Sequence, residues 1–437
     1  MMRKKIKNAL SAENMISIVS SCFRDVSDIY TKRKSTIDLH DYLMSCIAMF
    51  KLKYPSLLQF DNDRIDPAHS HNLKTLFHVN QAPSDSALRQ RLDELDPKSL
   101  RKVYTKLFSV AQRNKVLESF QFINGAYLCS IDGTGYFHSN SVHCDNCCVK
   151  NHRDGRVSYY HQMLCAVLIH PDKGNVIPFC PEPIVKSDGQ KKNDCERNAS
   201  KRLLQDLKRE HPHLKLVIVE DSLASNAPHI KLIEELEYQY ILGAKPGDHK
   251  WLFSCVAASS RNHYECTDAK NNHHRFEFIN DVPLNESNEE VRVNFLEHWE
   301  TRPNGKIIHH TWVSNIKLTE NNVFQIMRGG RARWKVENET INTLKTQGYQ
   351  FEHNFGHGKK NLSVIMALLM MIAFMIDELG FIACKYMQQA KQVLLGKKRM
   401  WRKIRSTFDS FFIDSWDDLF DGLINGIRKS KLTPDTS

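Results

Sequence analysis

Two short apolar runs that each close on an acidic residue constrain this chain more than any other feature. YLCSI (127–131) leads into Asp132, and LKLVIV (214–219) leads into Glu220-Asp221. Both read as strands. A charge at the end of a buried strand costs free energy unless it faces solvent or a site. Around these runs the pattern alternates. YYHQMLCAVLI (159–169) and NVIPFC (175–180) read as strands, separated by the turn residues Asp172, Lys173 and Gly174. Residues 194–211 and Ala224–Glu237 read as helices, and YQYILGA (238–244) as another strand. The order β-β-β-α-β-α-β predicts an α/β fold on a mixed sheet, with one aspartate ending the first strand and another ending the fourth.

Outside this block the character changes. The first 115 residues read as helical, with apolar positions at helical spacing through Leu39–Leu52 and at Leu88, Leu92 and Leu95. Ser84 is the expected N-cap of the Leu88 helix, and Pro97 opens the next one. On the Leu88 helix, Arg89, Gln90 and Arg91 are expected to point away from the leucines, where they either reach DNA or simply face water. Residues 247–325 contain FEFI, VRVNFLEHW and KIIHHTWVSNI between polar turns, a β-rich insertion. Helical character returns with RARWKVENETINTLK (331–345). The run Leu362–Ile376 is shorter than the ~20 apolar residues a spanning helix needs, so it is expected in the protein core, with no membrane segment.

These shifts divide the chain into four regions. They are a helical N-terminal region (1–115), a catalytic α/β domain (120–246 and 326–385), the β-rich insertion (247–325) and a basic helical tail (386–437). In the tail Lys397, Lys398, Arg399 and Arg402 surround Trp401. With 41% hydrophobic and 25% charged residues the composition is globular, which excludes wholesale disorder. The formal net charge of +11 suits a polyanionic partner, nucleic acid before others. The basic N-terminus lacks the apolar stretch of a secretory signal, so a reduced, cytoplasmic chain is expected, with its twelve cysteines unpaired.

Phosphodiester chemistry needs charge stabilisation on both attacking and leaving oxygens, which carboxylate-held divalent cations supply. Asp132 is followed by Gly133-Thr134-Gly135, predicting a sharp turn with room beside the carboxylate. Asp221 is preferred to Glu220 because strand alternation turns only one of them toward the site. For the third carboxylate, Glu337 and Glu339 compete. On a regular helix Arg333 and Glu337 share a face with Trp334, Ile341 and Leu344, while Glu339 points roughly 200° away. Glu337 is therefore the candidate. Singly, each aspartate reads first as a solvated strand end or an N-cap, and the Arg333–Glu337 pair as a surface ion pair; the two aspartates together, on neighbouring strands, favour a site.

A second cluster, VHCDNCCVKNH, contains Cys144-x-x-Cys147 with His143, Cys148 and His152 nearby and Cys195 further on. The spacing suits two ligands of a tetrahedral Zn²⁺, or a plain Cys-rich loop. In EHNFGHGKKNL (352–362), His353, His357, Lys359 and Lys360 either grip DNA or form a capped turn.

The strand and helix order resembles the ribonuclease H-like fold. The segments IDGTGYFHS, VEDSLASNAPHI and RARWKVENETINTLK resemble the three acidic blocks of bacterial insertion-sequence DDE transposases. The similar group carries a β-strand insertion before the glutamate and a Tyr-Arg-Glu-Lys signature around it. The resemblance spans about residues 60–375. It implies Mg²⁺ or Mn²⁺ held by Asp132, Asp221 and Glu337, and DNA contacts by Arg333 and, one step out of register, Lys345. It further implies cleavage at transposon ends, 3′-hydroxyl strand transfer, a homodimer on DNA and a nucleoid-associated location. The chain departs from the signature at Gly330, where the tyrosine would fall, and at Leu344, where the lysine would fall. Two rival readings remain: a ribonuclease H-like nuclease without strand transfer, and a transposase-derived DNA-binding protein without catalysis.

Overall fold

The structure is a computed structural model and describes residues 9–28, 36–186 and 194–435. The basic residues 1–8 lie outside the described residues. The chain is α/β, built on a 12-stranded mixed sheet. From one edge the strands run Cys148–Asn151, Val157–Ile169, Ala126–Ser139, Leu216–Glu220, Gln239–Gly243, Ile307–Ser314, Arg292–Thr301, His273–Pro283 and Asn262–Thr267. Ala126–Ser139 is antiparallel to Val157–Ile169 and parallel to Leu216–Glu220, which is in turn parallel to Gln239–Gly243. The parallel strands are apolar on both faces because helices cover them, as their near-continuous Val, Ile and Leu content requires.

The β-rich insertion does not form a separate sheet. Its last strand, Ile307–Ser314, pairs antiparallel with Gln239–Gly243, so the four insertion strands extend the central sheet as a meander. The insertion also holds one short helix, Lys250–Ala257.

The helix Leu362–Ala383 forms the core of the helical layer. It is long and apolar enough to cross a membrane by length and composition, yet its apolar window is wholly buried inside the protein. Around it pack Ala12–Arg24, Leu39–Lys51, Asp85–Asp93 and Arg101–Arg113. The sequence regions ending at 115 and beginning at 386 therefore do not stand apart. Tyr104 donates its hydroxyl to the Leu368 carbonyl at 2.7 Å. Asp377 is buried and accepts hydrogen bonds from Lys51, Lys53 and Tyr349. Glu378, also buried, pairs with Lys397 of the tail at 2.7 Å and with Asn175 at 2.8 Å. Two charges on an otherwise apolar helix are tolerated because each meets partners from distant segments. Removing one partner of such a buried pair typically costs ~3–5 kcal/mol.

The start of this helix is capped from elsewhere in the chain. The Asp93 carboxylate accepts the backbone N–H groups of Lys359, Lys360, Asn361 and Leu362, at 2.8–3.0 Å. The last two are among the donors a helix N-terminus leaves without intrahelical partners, and the first two hold the approach to it. Ser84 caps Asp85–Asp93 as expected, accepting from Ala87 N–H, and Pro97 opens the turn Pro97–Leu100.

Candidate active site

Asp132 lies in the middle of its strand. The expected turn at Gly133-Thr134-Gly135 does not form: the strand continues to Ser139, with an irregularity between Gly135 and Phe137. The absent side chain at Gly133 serves a neighbour instead. A Cβ there would collide with the carboxylate of Glu196, in the first turn of the helix Glu196–Glu210.

The parallel register brings the two predicted aspartates together. Ser130 is paired with Val219, so two residues further on Asp132 and Asp221 stand at the same height on adjacent strand paths. Neighbouring strands lie about 4.8 Å apart. Asp221 leaves the sheet just beyond Glu220, is solvent-exposed, and caps the turn Ser222–Ala224 by accepting Leu223 N–H at 2.9 Å. Glu220 is buried and engaged with His229, its Oε2 2.6 Å from His229 Nε2. Burial opposes the charged His229 ring, but Glu220 more than offsets this and raises the imidazole above its ordinary value.

Arg333 Nη1 lies 3.2 Å from Asp132 Oδ2, and the Arg333 carbonyl accepts the Ser130 hydroxyl at 3.0 Å. Burial raises the Asp132 carboxyl above its ordinary value. Arg333 and the Gly133 N–H oppose that rise, while the charges of Asp221 and Glu337 reinforce it. The charge of Glu337 is felt at Asp132, although the segment that carries it differs from the regular helix expected. The helix Val323–Arg331 ends before Arg333, and Val336–Ile341 forms a wide π-helical turn. Trp334, expected against the core, is 57% exposed. The expected contrast, Glu337 on the core-side face and Glu339 pointing away, is corrected: Glu337 is exposed and Glu339 half-buried, because the 100° spacing does not apply across such a turn. Single π-turns recur where side chains must be re-aimed at a site.

Glu196 was not singled out from sequence. Burial, then the charges of Asp132, Asp221 and Glu220, raise its carboxyl above the ordinary value. It lines a cleft of about 760 Å³ together with Asp132, Gly133, Glu220, Asp221 and His229. In sequence it looks like any acid in a first helical turn, favoured by the helix dipole. Only the close approach at Gly133 marks it. The cleft thus gathers Asp132, Asp221, Glu196 and the His229-bound Glu220, with Arg333 as the cation paired to Asp132 and Glu337 outside the cleft lining.

The departure at Gly330 has a packing cause. A Cβ at Gly330 would run into the Trp312 indole, and one at Gly329 into Ile241 and Phe122. The paired glycines let Val323–Arg331 lie close against the sheet, which leaves no space for a tyrosine.

The basic residues divide by environment. Arg91 is buried and paired with Asp28, so its expected place on an open helix face is corrected: the guanidinium turns inward. Arg89 is half-exposed and paired with Asp85 at 2.5 Å. Lys345 pairs with Glu352 at 2.8 Å. Lys397 is held by Glu378 and lies 4.7 Å over the Phe381 ring, away from an open phosphate-binding position. Lys398, Arg399 and Arg402 are exposed on the helix Lys397–Ser410.

In the cysteine cluster, Cys144 and Cys147 meet His161 and His357 in a buried Cys₂His₂ group able to hold a metal ion. The neighbours named from sequence are elsewhere engaged. His143 stacks on Tyr159, His152 lies 2.8 Å from the Ser158 hydroxyl, Cys148 points to the Ile184 carbonyl, and Cys195 is exposed. Burial of His357 favours the capped-turn reading of 352–362, and Lys360 pairs with Glu94. No protein-family model matches the chain, and no curated protein matches its sequence.

Proposed function

We propose that this chain is a DDE-type DNA transposase of ribonuclease H-like architecture, cutting DNA at transposon ends and joining the freed 3′-hydroxyl to target DNA. The observation that carries the reading is the level placement of Asp132 and Asp221 on adjacent parallel strand paths, with Glu337 acting on the same carboxylate. The sheet order supports it: an antiparallel strand on one side of the Asp132 strand and two parallel strands on the other.

The donor chemistry is of the type hard divalent cations take. Four carboxylates outnumber one guanidinium, and all offer oxygen, the ligand Mg²⁺ and Mn²⁺ take. Asp132, Asp221 and Glu337 would hold the metal, with Glu196 beside them. Bound divalent cations would neutralise charge on the attacking and leaving oxygens of the phosphodiester. The protein's own groups do the positioning. Asp132 is held by the central strand and oriented by Arg333, and Asp221 Oδ1 is oriented by Leu223 N–H. Arg333 has further N–H groups to offer a phosphate oxygen. Lys398, Arg399 and Arg402 would add sequence-independent phosphate contacts. Joining two ends calls for a homodimer on DNA, in the cytoplasm with the nucleoid.

The test is Mg²⁺-dependent cleavage and strand transfer on DNA carrying the sequences that flank the protein's own gene. Asp132→Asn, Asp221→Asn and Glu337→Gln should each abolish both steps. Full activity in any of the three would remove that residue from the site. Cleavage without joining would point instead to a nuclease.

A further inference from the structure

We propose that Cys144, Cys147, His161 and His357 bind one zinc ion as a closed tetrahedral site, and that this ion fastens the loop after the Glu337 segment to the hairpin of the Asp132 strand. The proposal does not depend on the catalytic reading.

The geometry is that of a preformed tetrahedron. A zinc ion with Zn–S of about 2.3 Å and Zn–N of about 2.05 Å places two sulfurs about 3.8 Å apart and a sulfur and nitrogen about 3.5 Å apart. Cys144 Sγ and Cys147 Sγ are 3.8 Å apart. His161 Nε2 lies 3.3 Å from the first and 3.4 Å from the second, and His357 Nε2 lies 3.1 Å from Cys147 Sγ. All four donor atoms fall within 4.8 Å of one another. The sulfurs are too far apart for a disulfide, whose bond is about 2.05 Å.

The surroundings argue for a metal over a thiol–imidazole cluster. All four side chains are buried, His161 completely. Among the described residues their ring Nδ1 atoms have no hydrogen-bond partner, and the polar atoms their Nε2 atoms meet are the cysteine sulfurs. Thiols are weak hydrogen-bond partners, and burying two imidazoles on them alone leaves desolvation poorly offset. Two soft thiolates and two imidazoles select zinc over Mg²⁺ or Ca²⁺. Four protein ligands also leave no open position, which marks a structural site, not a catalytic one. The Cys144–Cys147 turn is preshaped, with Cys147 N–H donating to the Cys144 carbonyl and Cys144 N–H aimed at Cys147 Sγ.

The placement gives the site a task. His161 belongs to the strand Val157–Ile169, paired with the Asp132 strand. His357 sits 210 residues after Cys147, in the segment between Glu337 and the helix Leu362–Ala383. Among the described residues few other hydrogen bonds join the two: Asp145 N–H to the Lys359 carbonyl, and Asn146 Nδ2 to the Lys360 carbonyl and Asn361 Oδ1, each at 2.9 Å. A four-ligand metal across this junction would far outlast those bonds.

The full-length chain, purified without chelator, should carry about one zinc per chain by elemental analysis. Replacing the zinc with Co²⁺ should produce the visible bands of tetrahedral cobalt and a thiolate-to-metal charge-transfer band. The double variant Cys144→Ser/Cys147→Ser should lose the zinc, whereas Cys195→Ser should keep it. His357→Cys keeps four ligands and should retain metal with a stronger charge-transfer band, which guards against a double variant that fails to fold. Wild-type protein free of zinc even after incubation with Zn²⁺ would overturn the proposal. So would cobalt spectra without a thiolate band, or zinc retained in a folded double variant. Loss of strand transfer with zinc still bound would count against the catalytic reading alone.

Discussion

Gly330 packs so closely against the indole of Trp312 that a Cβ there would collide with the ring. Small-to-large changes in such a contact usually cost ~1–3 kcal/mol. Gly330→Ala should therefore lower the unfolding free energy by about that much, read by urea denaturation. Gly330→Tyr should fail to give soluble protein, even though tyrosine is the residue the resemblance leads one to expect there. A stable, more active Gly330→Tyr protein would contradict the packing account.

Glu196 shares its cleft with both aspartates, and its raised carboxyl reflects their charge as well as burial. Glu196→Gln should remove repulsion and a donor together. We expect folding stability to be unchanged or slightly higher, while the Mg²⁺ concentration needed for half-maximal cleavage rises ~10–100-fold, the usual cost of disturbing a metal's supporting groups. A titration of activity against Mg²⁺ for both proteins decides it; an unchanged midpoint would place Glu196 outside the proposed metal site.

Lys397 and Arg402 share one basic helix but should behave oppositely. Arg402→Ala with Arg399→Ala should leave the unfolding transition in place. It should weaken DNA binding and make the slope of log K against log[salt] shallower by ~0.9 per lost phosphate contact. Lys397→Ala should instead destabilise the fold, because it leaves Glu378 short of a partner in the helical core. Fluorescence anisotropy at several salt concentrations, beside urea melts, separates the two.

His211 is packed against Phe108 and Phe179, with ring centroids at 4.4 and 5.2 Å. Burial, assisted by Arg101, lowers its pKa to about 4. Below the ordinary value near 6.5 the unfolded chain takes up a proton that the folded protein refuses. Stability from this residue is therefore intact above pH ~6.5 and is lost as pH falls toward 4, by ~3 kcal/mol at most. His211→Phe should be less sensitive to that interval than wild type in urea melts at pH 7 and pH 4.5. Parallel losses in the two proteins would exclude His211 as the source.

Much of the architecture was legible because it rests on local signals. The apolar runs at 159–169 and 214–219, the turn at 172–174, the Ser84 cap and the apolar stretch from Leu362 are all set by short-range periodicity and capping chemistry, and each has its counterpart in the structure. Asp132 and Asp221 were readable for the same reason, as charges attached to buried runs. Where the local signal was ambiguous, the reading failed: Gly133 looked like a turn and is mid-strand, and Arg91 looked solvated and is buried.

What the sequence alone determined is thus most of the elements and the two aspartates attached to their buried runs. Tertiary structure decided how those elements meet. The register of Ser130 against Val219 levels the aspartates, a π-turn replaces the regular helix at Glu337, and Gly133 admits Glu196. The fold also brings His357 to cysteines 210 residues away and turns Lys397 inward onto Glu378. Periodicity reports which face of an element is apolar, since that depends on neighbours a few residues away. It carries no information on which distant side chain fills the space opposite, because that follows only from packing the faces together.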